Sequence, residues 1–181
     1  MSEQPFGLVD RAGTLDQATL GQIYDDYYER IYNYIYHRLG EASLAEDMAG
    51  EVFLRMLESV QTDRAWRTSL TGWLYRIAHN LVIDHYRRRG RHDESELDER
   101  IASDDRIGAP RVSVEQMLTQ QQLSLALVYL TDEQQEVVVL KFVEDMSNGE
   151  IAEIMGKSEG AVKALQHRAL TTLRRVLEGD A

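Results

Sequence analysis

The residues of this chain best placed to do chemistry are cations. In the stretch SEGAVKALQHRALTTLRR, residues 158–175, Val162, Leu165, Ala169, Leu173 and Val176 fall on one stripe at about 100° per residue. Lys163, His167, Arg168, Thr171, Arg174 and Arg175 fall on the other. A helix of this kind packs by its apolar stripe and presents donors and positive charge to a polyanion. A second basic island, RAWRTSLTGWLYRIAHNLVIDHYRRRGR, interleaves Trp66, Trp73, Tyr75 and Tyr86 with Arg64, Arg67, Arg76, Arg87, Arg88, Arg89 and Arg91. Cations can follow a phosphate backbone while aromatic faces and an Asn hold unstacked bases, a combination suited to single-stranded or opening DNA. For any one of these aromatics, and Trp73 in particular, core packing is the competing role.

Enzymatic chemistry finds little support. His79 and Asp84 point about 140° apart on a helix, unlike the i, i+4 pairing of a helical zinc site, and His85 fits an apolar face. There is no glycine-rich phosphate loop or nucleophile elbow. The chain has no cysteine, which removes disulfides, thiolate metal sites and cysteine nucleophiles. No enzyme activity, metal or cofactor is expected.

The elements that position the cations are helical. Ile23, Tyr27, Ile31, Tyr34, Ile35 and Leu39 recur at helical spacing until Gly40. Ser43 and Glu46 have capping-box spacing before Ala45, Met48, Ala49, Val52, Phe53, Met56 and Val60. Leu70, Leu74, Ile77, Ala78, Leu81 and His85 mark a third helix running into RRRGR, on which Arg76, Asn80, Asp84 and Arg87 share one side. Further on, Ser113 is a candidate cap, and TDEQ (131–134) and SNGE (147–150) are two more capping boxes. The second precedes a short helix that Gly156 ends, a KSE turn, and the basic helix starting near Glu159. A short helix, a tight turn and a second amphipathic helix make a helix-turn-helix, whose second helix fits a DNA major groove. Lys163 and Arg168 suit phosphate or guanine, His167 a base edge, and Arg174 and Arg175 the DNA backbone or the helix dipole.

With 181 residues and 43% hydrophobic content the chain can build a core. Its net charge of -11 is unevenly distributed: residues 60–91 carry 7 basic and 2 acidic side chains, and residues 157–175 carry 5 and 1. The acidic remainder should repel DNA at long range, so the chain alone should bind it weakly. From His92 the sequence HDESELDERIASDDRIGAPR loses periodicity and gains acids, which reads as a linker. Its roughly 20 residues could reach about 70 Å. The expected fold is all-α: an N-terminal segment (1–19), a helical domain (20–91), an acidic flexible linker (92–112) and a second small helical domain ending in the helix-turn-helix (113–178). No stretch is apolar enough to cross a membrane and the start lacks a signal-peptide pattern, so a cytoplasmic protein is expected.

AEDMAGEVFLRML, GWLYRIAHNLVIDHYRRRGR and LTDEQQEVVVLKFVEDMSNGEIAEIMGKSEGAVKALQHRALTTLRRVL, in that order across an acidic linker, resemble an extracytoplasmic-function sigma factor of the sigma-70 family. The resemblance runs from about Tyr24 to Leu177. It implies a sigma-2 and a sigma-4 domain, and as partners core RNA polymerase (the clamp helices of the largest subunit, and the beta flap), promoter DNA and an anti-sigma factor, with the protein on the nucleoid when bound to polymerase. It places polymerase binding at Asp47, Glu51, Phe53 and Arg55. Recognition and melting of the minus-10 element would fall to Arg64, Arg67, Arg76, Asn80, Asp84, Arg87, Arg88 and Arg91, with Asn80 and Asp84 reading a flipped base. The minus-35 element would be read by Glu159, Gly160, Lys163, Ala164, His167 and Arg168. The chain departs from the pattern at Ala161 and Leu165, where many relatives have a hydroxyl and a second basic residue. Leu165 is expected to pack inward.

Overall fold

The structure, a computed structural model, describes residues 16–61, 69–93 and 125–178, and all regular elements among them are helical. Helix α1 spans Gln17–Leu39. Asp16 caps it, its Oδ1 accepting from the Thr19 amide at 2.7 Å, and Gly40 ends it at φ 72°, a conformation that glycine adopts without a Cβ clash. Helix α2 spans Ala42–Gln61. It therefore begins one residue before Ser43, and the Ala45 amide already bonds back to the Glu41 carbonyl, so the SLAE spacing does not act as a capping box. Helix α3 spans Leu70–Asp93, its start held by Ser69, whose Oγ accepts from the Gly72 amide. It runs two residues past the expected domain boundary, and the rest of the expected linker lies outside the described residues, as does Ser113.

Helix α4, Asp132–Val138, opens with the expected Thr131/Gln134 capping box and continues into a wider π turn, Val139–Val143. Helix α5, Asn148–Met155, opens with the Ser147/Glu150 box and stops at Gly156, φ 64°. Helix α6, Glu159–Leu177, follows at once, capped by Ser158. Each of these caps satisfies amides that no helical carbonyl can reach. Ser147→Ala is expected to lower stability by about 1 kcal/mol, read from the urea midpoint of the helical signal.

Helices α1, α2 and α3 form one lobe, their inner faces contributing Ile31, Tyr34, Ile35, Val52, Met56, Leu74, Tyr75 and Val82. Helices α4 to α6 form the other. Within it, Ala126, Leu127, Leu130, Val138, Ala169 and Leu173 make a separate small cluster. The apolar core does not stop at the lobe boundary: Val137, Leu140, Met146, Ile151, Ile154, Val162 and Leu165 belong to the same buried cluster as the α1–α3 residues. Helix α5 packs along α3.

Polar side chains cross the same boundary. Glu136 of α4 is 1% exposed and receives a hydrogen bond from the Tyr34 hydroxyl. Its Oε2 lies 3.2 Å from Arg38 Nη2, and its Oε1 lies 3.0 Å from His79 Nδ1. Arg38 Nη1 also donates to the Asp132 carbonyl at 3.0 Å and to Gln135 Oε1 at 3.3 Å. Beside this cluster, the Tyr75 hydroxyl donates to Glu144, with Arg30 Nε 3.9 Å away.

Burial alone would raise the Glu136 pKa, but His79, Arg38 and Tyr34 together hold it below the usual carboxylate range. Its contribution to stability is therefore complete above the unfolded value of about 4.3 and is lost as pH falls through the lowered folded value. Glu144 behaves oppositely: burial raises its pKa despite Tyr75 and Arg30. The stability difference between wild type and Glu136→Gln is expected to be about 3 kcal/mol at neutral pH and to shrink as pH falls below the unfolded carboxylate value and through the lowered folded one, measured by urea unfolding at each pH.

Candidate nucleic-acid interface

Helix α6 buries Val162, Leu165, Ala169 and Leu173 and leaves Glu159, Gly160, Lys163, Ala164, His167 and Arg168 exposed together near its N-terminal half. Leu165, expected to pack inward, is 5% exposed. The Gln166 amide donates to Asn148 Oδ1 at 2.7 Å, tying α6 to α5 and setting the angle at which the basic face stands out. A Cβ on Gly160 would meet only Ser158 Oγ, at 3.9 Å, so the fold leaves room for a side chain there. The bare glycine instead keeps the outer surface low, which suits close approach of a ligand backbone. Arg174 and Arg175 lie in the last turn, where positive charge complements the helix dipole.

Helix α3 carries the second basic surface. Arg76, Asn80, Arg87 and Arg88 are exposed and Asp84 is half-buried, along the side expected from their i, i+4 spacing. Arg64 and Arg67 lie outside the described residues, and the side chain of Arg91 is likewise not described. The aromatics of this helix serve the fold. Tyr75 is fully buried, with its ring edge-on to Tyr34. Trp73 packs partly buried against the core. Tyr86 donates its hydroxyl to the Arg38 carbonyl and lies under the Arg38 guanidinium. These three rings are held by protein neighbours, leaving Arg76, Asn80 and Asp84 as the polar groups presented outward. Burial and the neighbouring Arg89 push the His85 pKa below the usual imidazole range.

On α2, Asp47 is exposed, and half-buried Glu51 accepts from Arg55 Nε at 2.8 Å. Phe53 differs from the expectation of a binding residue: it is 5% exposed and packs against Tyr24 and Tyr28. Helical phase turns it inward, and the outward apolar residue is its neighbour Leu54, 57% exposed. Leu54 carries no periodic signal in the sequence, because it interrupts a polar face rather than extending an apolar one. A shallow hollow of about 480 Å³ lined by Glu51, Arg55, Glu58, Trp73, Ile77 and Asn80 joins this face to the α3 surface. The α2 and α3 residues singled out from the sequence are thus neighbours on one lobe, and those of α6 stand on the other.

Comparison with known proteins gives the same division. The family described as Sigma-70 region 2 matches residues 23–92, and that described as Sigma-70, region 4 matches residues 120–173. The chain is 38% identical to the ECF RNA polymerase sigma factor BldN of Streptomyces coelicolor over 180 residues, covering 99% of this chain and 68% of that protein. It is 34% identical to the ECF RNA polymerase sigma factor SigW of Bacillus subtilis over 175 residues, covering 90% of each. Two solved structures share the fold at 21% identity. The sigma factor RpoE in complex with the anti-sigma factor NepR from Bartonella quintana has a TM-score of 0.67 over 89% of this chain and 98% of that one. CnrH in complex with the cytosolic domain of CnrY has a TM-score of 0.68 over 96% and 97%. Among the described residues no helix is long and apolar enough to cross a membrane.

Proposed function

The chain belongs to the extracytoplasmic-function sigma factors of the sigma-70 family, and from that premise we propose how its surfaces divide the work. It is an alternative sigma factor, which binds core RNA polymerase and directs promoter recognition, DNA melting and initiation. The bond-forming chemistry belongs to the polymerase, so the chain's own contribution is binding energy directed at particular sequences. Residues 20–91 act as the sigma-2 domain and residues 113–178 as the sigma-4 domain, joined by the acidic segment 92–112.

The α2 face of Asp47, Glu51 and Arg55, with Leu54 as its apolar centre and Phe53 as its support, docks on the clamp helices of the largest polymerase subunit. The sigma-4 lobe docks on the beta flap. Arg76, Arg87, Arg88 and Arg91 follow the phosphates of the minus-10 element together with Arg64 and Arg67, while Asn80 and Asp84 offer a donor and acceptors to a base leaving the stack. Helix α6 lies in the major groove of the minus-35 element. Lys163 and Arg168 donate to guanine or phosphate, His167 reaches a base edge, Glu159 accepts from cytosine N4, and Gly160 and Ala164 permit close approach. RpoE occurs in complex with the anti-sigma factor NepR, and CnrH in complex with the cytosolic domain of CnrY. An anti-sigma factor is accordingly the expected control of this chain, working in the cytoplasm and on the nucleoid.

The observation that carries this reading is the pairing of two lobes, matched in order to the two promoter-binding regions, with the named polar residues turned outward on both. The test is run-off transcription with sigma-free core polymerase and a library of promoter fragments. Specific transcripts that require the added protein are expected. Their absence despite demonstrated core binding would overturn the reading in favour of an adaptor.

A further inference from the structure

Gly50 is a glycine for which the fold gives no reason. It lies in the interior of α2, well away from either end of Ala42–Gln61. Among the described residues the glycines with positive φ are Gly40 and Gly156, so Gly50 needs no left-handed freedom. A Cβ built on it would meet none of the described residues within 4 Å, so no neighbour demands its small size. Glycine in a helix interior nevertheless lowers helix stability about fivefold relative to alanine. Gly21 and Gly90 have equally open surroundings, but they lie near the start of α1 and in the last turn of α3, where helices fray.

The surroundings of Gly50 suit a partner. Helical phase sets it between two sides of α2. On one side stand exposed Asp47 and Leu54, and on the other exposed Glu46 and buried Phe53. Phe53 packs against the rings of Tyr24 and Tyr28, at 5.1 and 6.1 Å between centroids. Those rings begin a ladder: Tyr24, Tyr28, Tyr32 and Tyr36, four residues apart on α1, stack in succession at 5.0, 6.5 and 6.1 Å. Tyr24 is exposed and the other three are half-buried, so the ladder keeps an open edge. Burial, Tyr24 and Glu46 raise the Tyr28 pKa, and burial and Glu46 raise that of Tyr32, which sets the Glu46 carboxylate beside the ladder. Gly50 is therefore a notch between an aromatic wall and a ridge that carries Asp47 and Leu54. Packed helices approach to about 8–10 Å according to the side chains between them, and glycine permits the shortest distance. Glu46, Asp47 and Glu51 make this face anionic, and Arg55, paired with Glu51, offsets one charge.

Resting on the reading of α2 as the polymerase-docking face, we propose that Gly50 is the point of closest approach of a core-polymerase helix, which crosses α2 over this notch and lays a cationic side chain between Glu46 and the tyrosine rings. The aliphatic stem of a lysine or arginine covers the bare backbone, while its charged head faces the Glu46 carboxylate and the Tyr28 ring. The glycine thus weakens α2 in the free chain and strengthens a contact made in the complex.

Gly50→Ala separates the two roles, because stability and binding should move in opposite directions. The folding constant of the full-length chain should rise about fivefold, read from urea unfolding. Its affinity for sigma-free core polymerase, titrated against chain labelled with a fluorophore at the N-terminus, should fall at least about tenfold, the effect of an extra methyl in a close-packed contact. Tyr28→Leu, which keeps apolar bulk without the π face, should lower affinity about threefold, and Tyr28→Phe should restore it. Core affinity unchanged in Gly50→Ala would overturn the close approach, even if Gly50→Leu weakened binding, since a long side chain obstructs any docking on α2. A urea midpoint lowered by Gly50→Ala would show that the glycine serves the fold, and would overturn the proposal too. Equal affinities for Tyr28→Leu and Tyr28→Phe would overturn the cationic contact. The Asp47→Arg/Glu51→Arg variant keeps the two readings apart. If it binds core normally, α2 is not the docking face and the notch falls with it; if it fails to bind while Gly50→Ala binds like the wild type, the notch alone falls.

Discussion

Run-off transcription by core polymerase is expected to fall at least about 100-fold when Asp47 and Glu51 are both changed to arginine, a loss of about 2.7 kcal/mol in assembly. Both residues are on the outer side of α2, so the change reverses charge where a partner surface must approach. Like charges juxtaposed across an interface cost several kcal/mol. Within the protein the damage is small. Glu51 loses its i, i+4 partner Arg55, and exposed pairs of this type contribute about 0.3–0.5 kcal/mol. The variant should therefore unfold at nearly the wild-type urea midpoint, yet fail to comigrate with core polymerase in gel filtration. Comigration with full transcription would move the docking surface off α2. Leu54→Ala should weaken the same complex without altering charge, which separates apolar contact from electrostatic steering.

The second large effect concerns α6. Lys163→Ala combined with Arg168→Ala is expected to reduce transcription from the preferred promoter by at least about 30-fold while leaving core binding unchanged. Each lost base contact costs about 1–3 kcal/mol, and each lost phosphate contact lowers the salt slope of binding by about 1. The two losses have different signatures. If Lys163 reaches phosphate, its single variant should weaken all promoters alike and flatten the salt dependence; if Arg168 reads guanine, its variant should relax preference at one base pair. Neither side chain contributes to the core, and the helix keeps its cap at Ser158 and its tie from Gln166 to Asn148. Retained promoter-specific transcription in the double variant would show that α6 does not read the minus-35 element.

The two experiments divide affinity from specificity. An acidic chain with basic islands is expected to be repelled from DNA in general and to acquire promoter binding through the assembly.

Much of this was legible in the sequence because the signals were local. Thr131 with Gln134, Ser147 with Glu150, and Gly40 and Gly156 mark helix ends by interactions spanning a few residues, and each does so in the structure. The apolar stripe of α6 places Leu165 inward and Lys163 outward by period alone. Where two local readings competed, the pattern was less decisive: Ser43 has the spacing of a cap, but α2 starts at Ala42 and the serine lies inside the first turn. Phe53 and Tyr75 sit among functional-looking neighbours, yet their helical phase directs both into the core.

What the sequence by itself determined was the run of helices, the outward stripe of cations on α6 and the polar side of α3, because a helix converts spacing directly into direction. What only the tertiary structure decided was the partnership between lobes. Glu136 looks like one more acid in an acidic stretch, and Arg38 and His79 like ordinary helix polars. Tyr34 and Glu136 are 102 residues apart, and no periodicity connects them. Their meeting depends on how two apolar faces pack, and packing alone turns an unremarkable carboxylate into a buried charge that needs its partners.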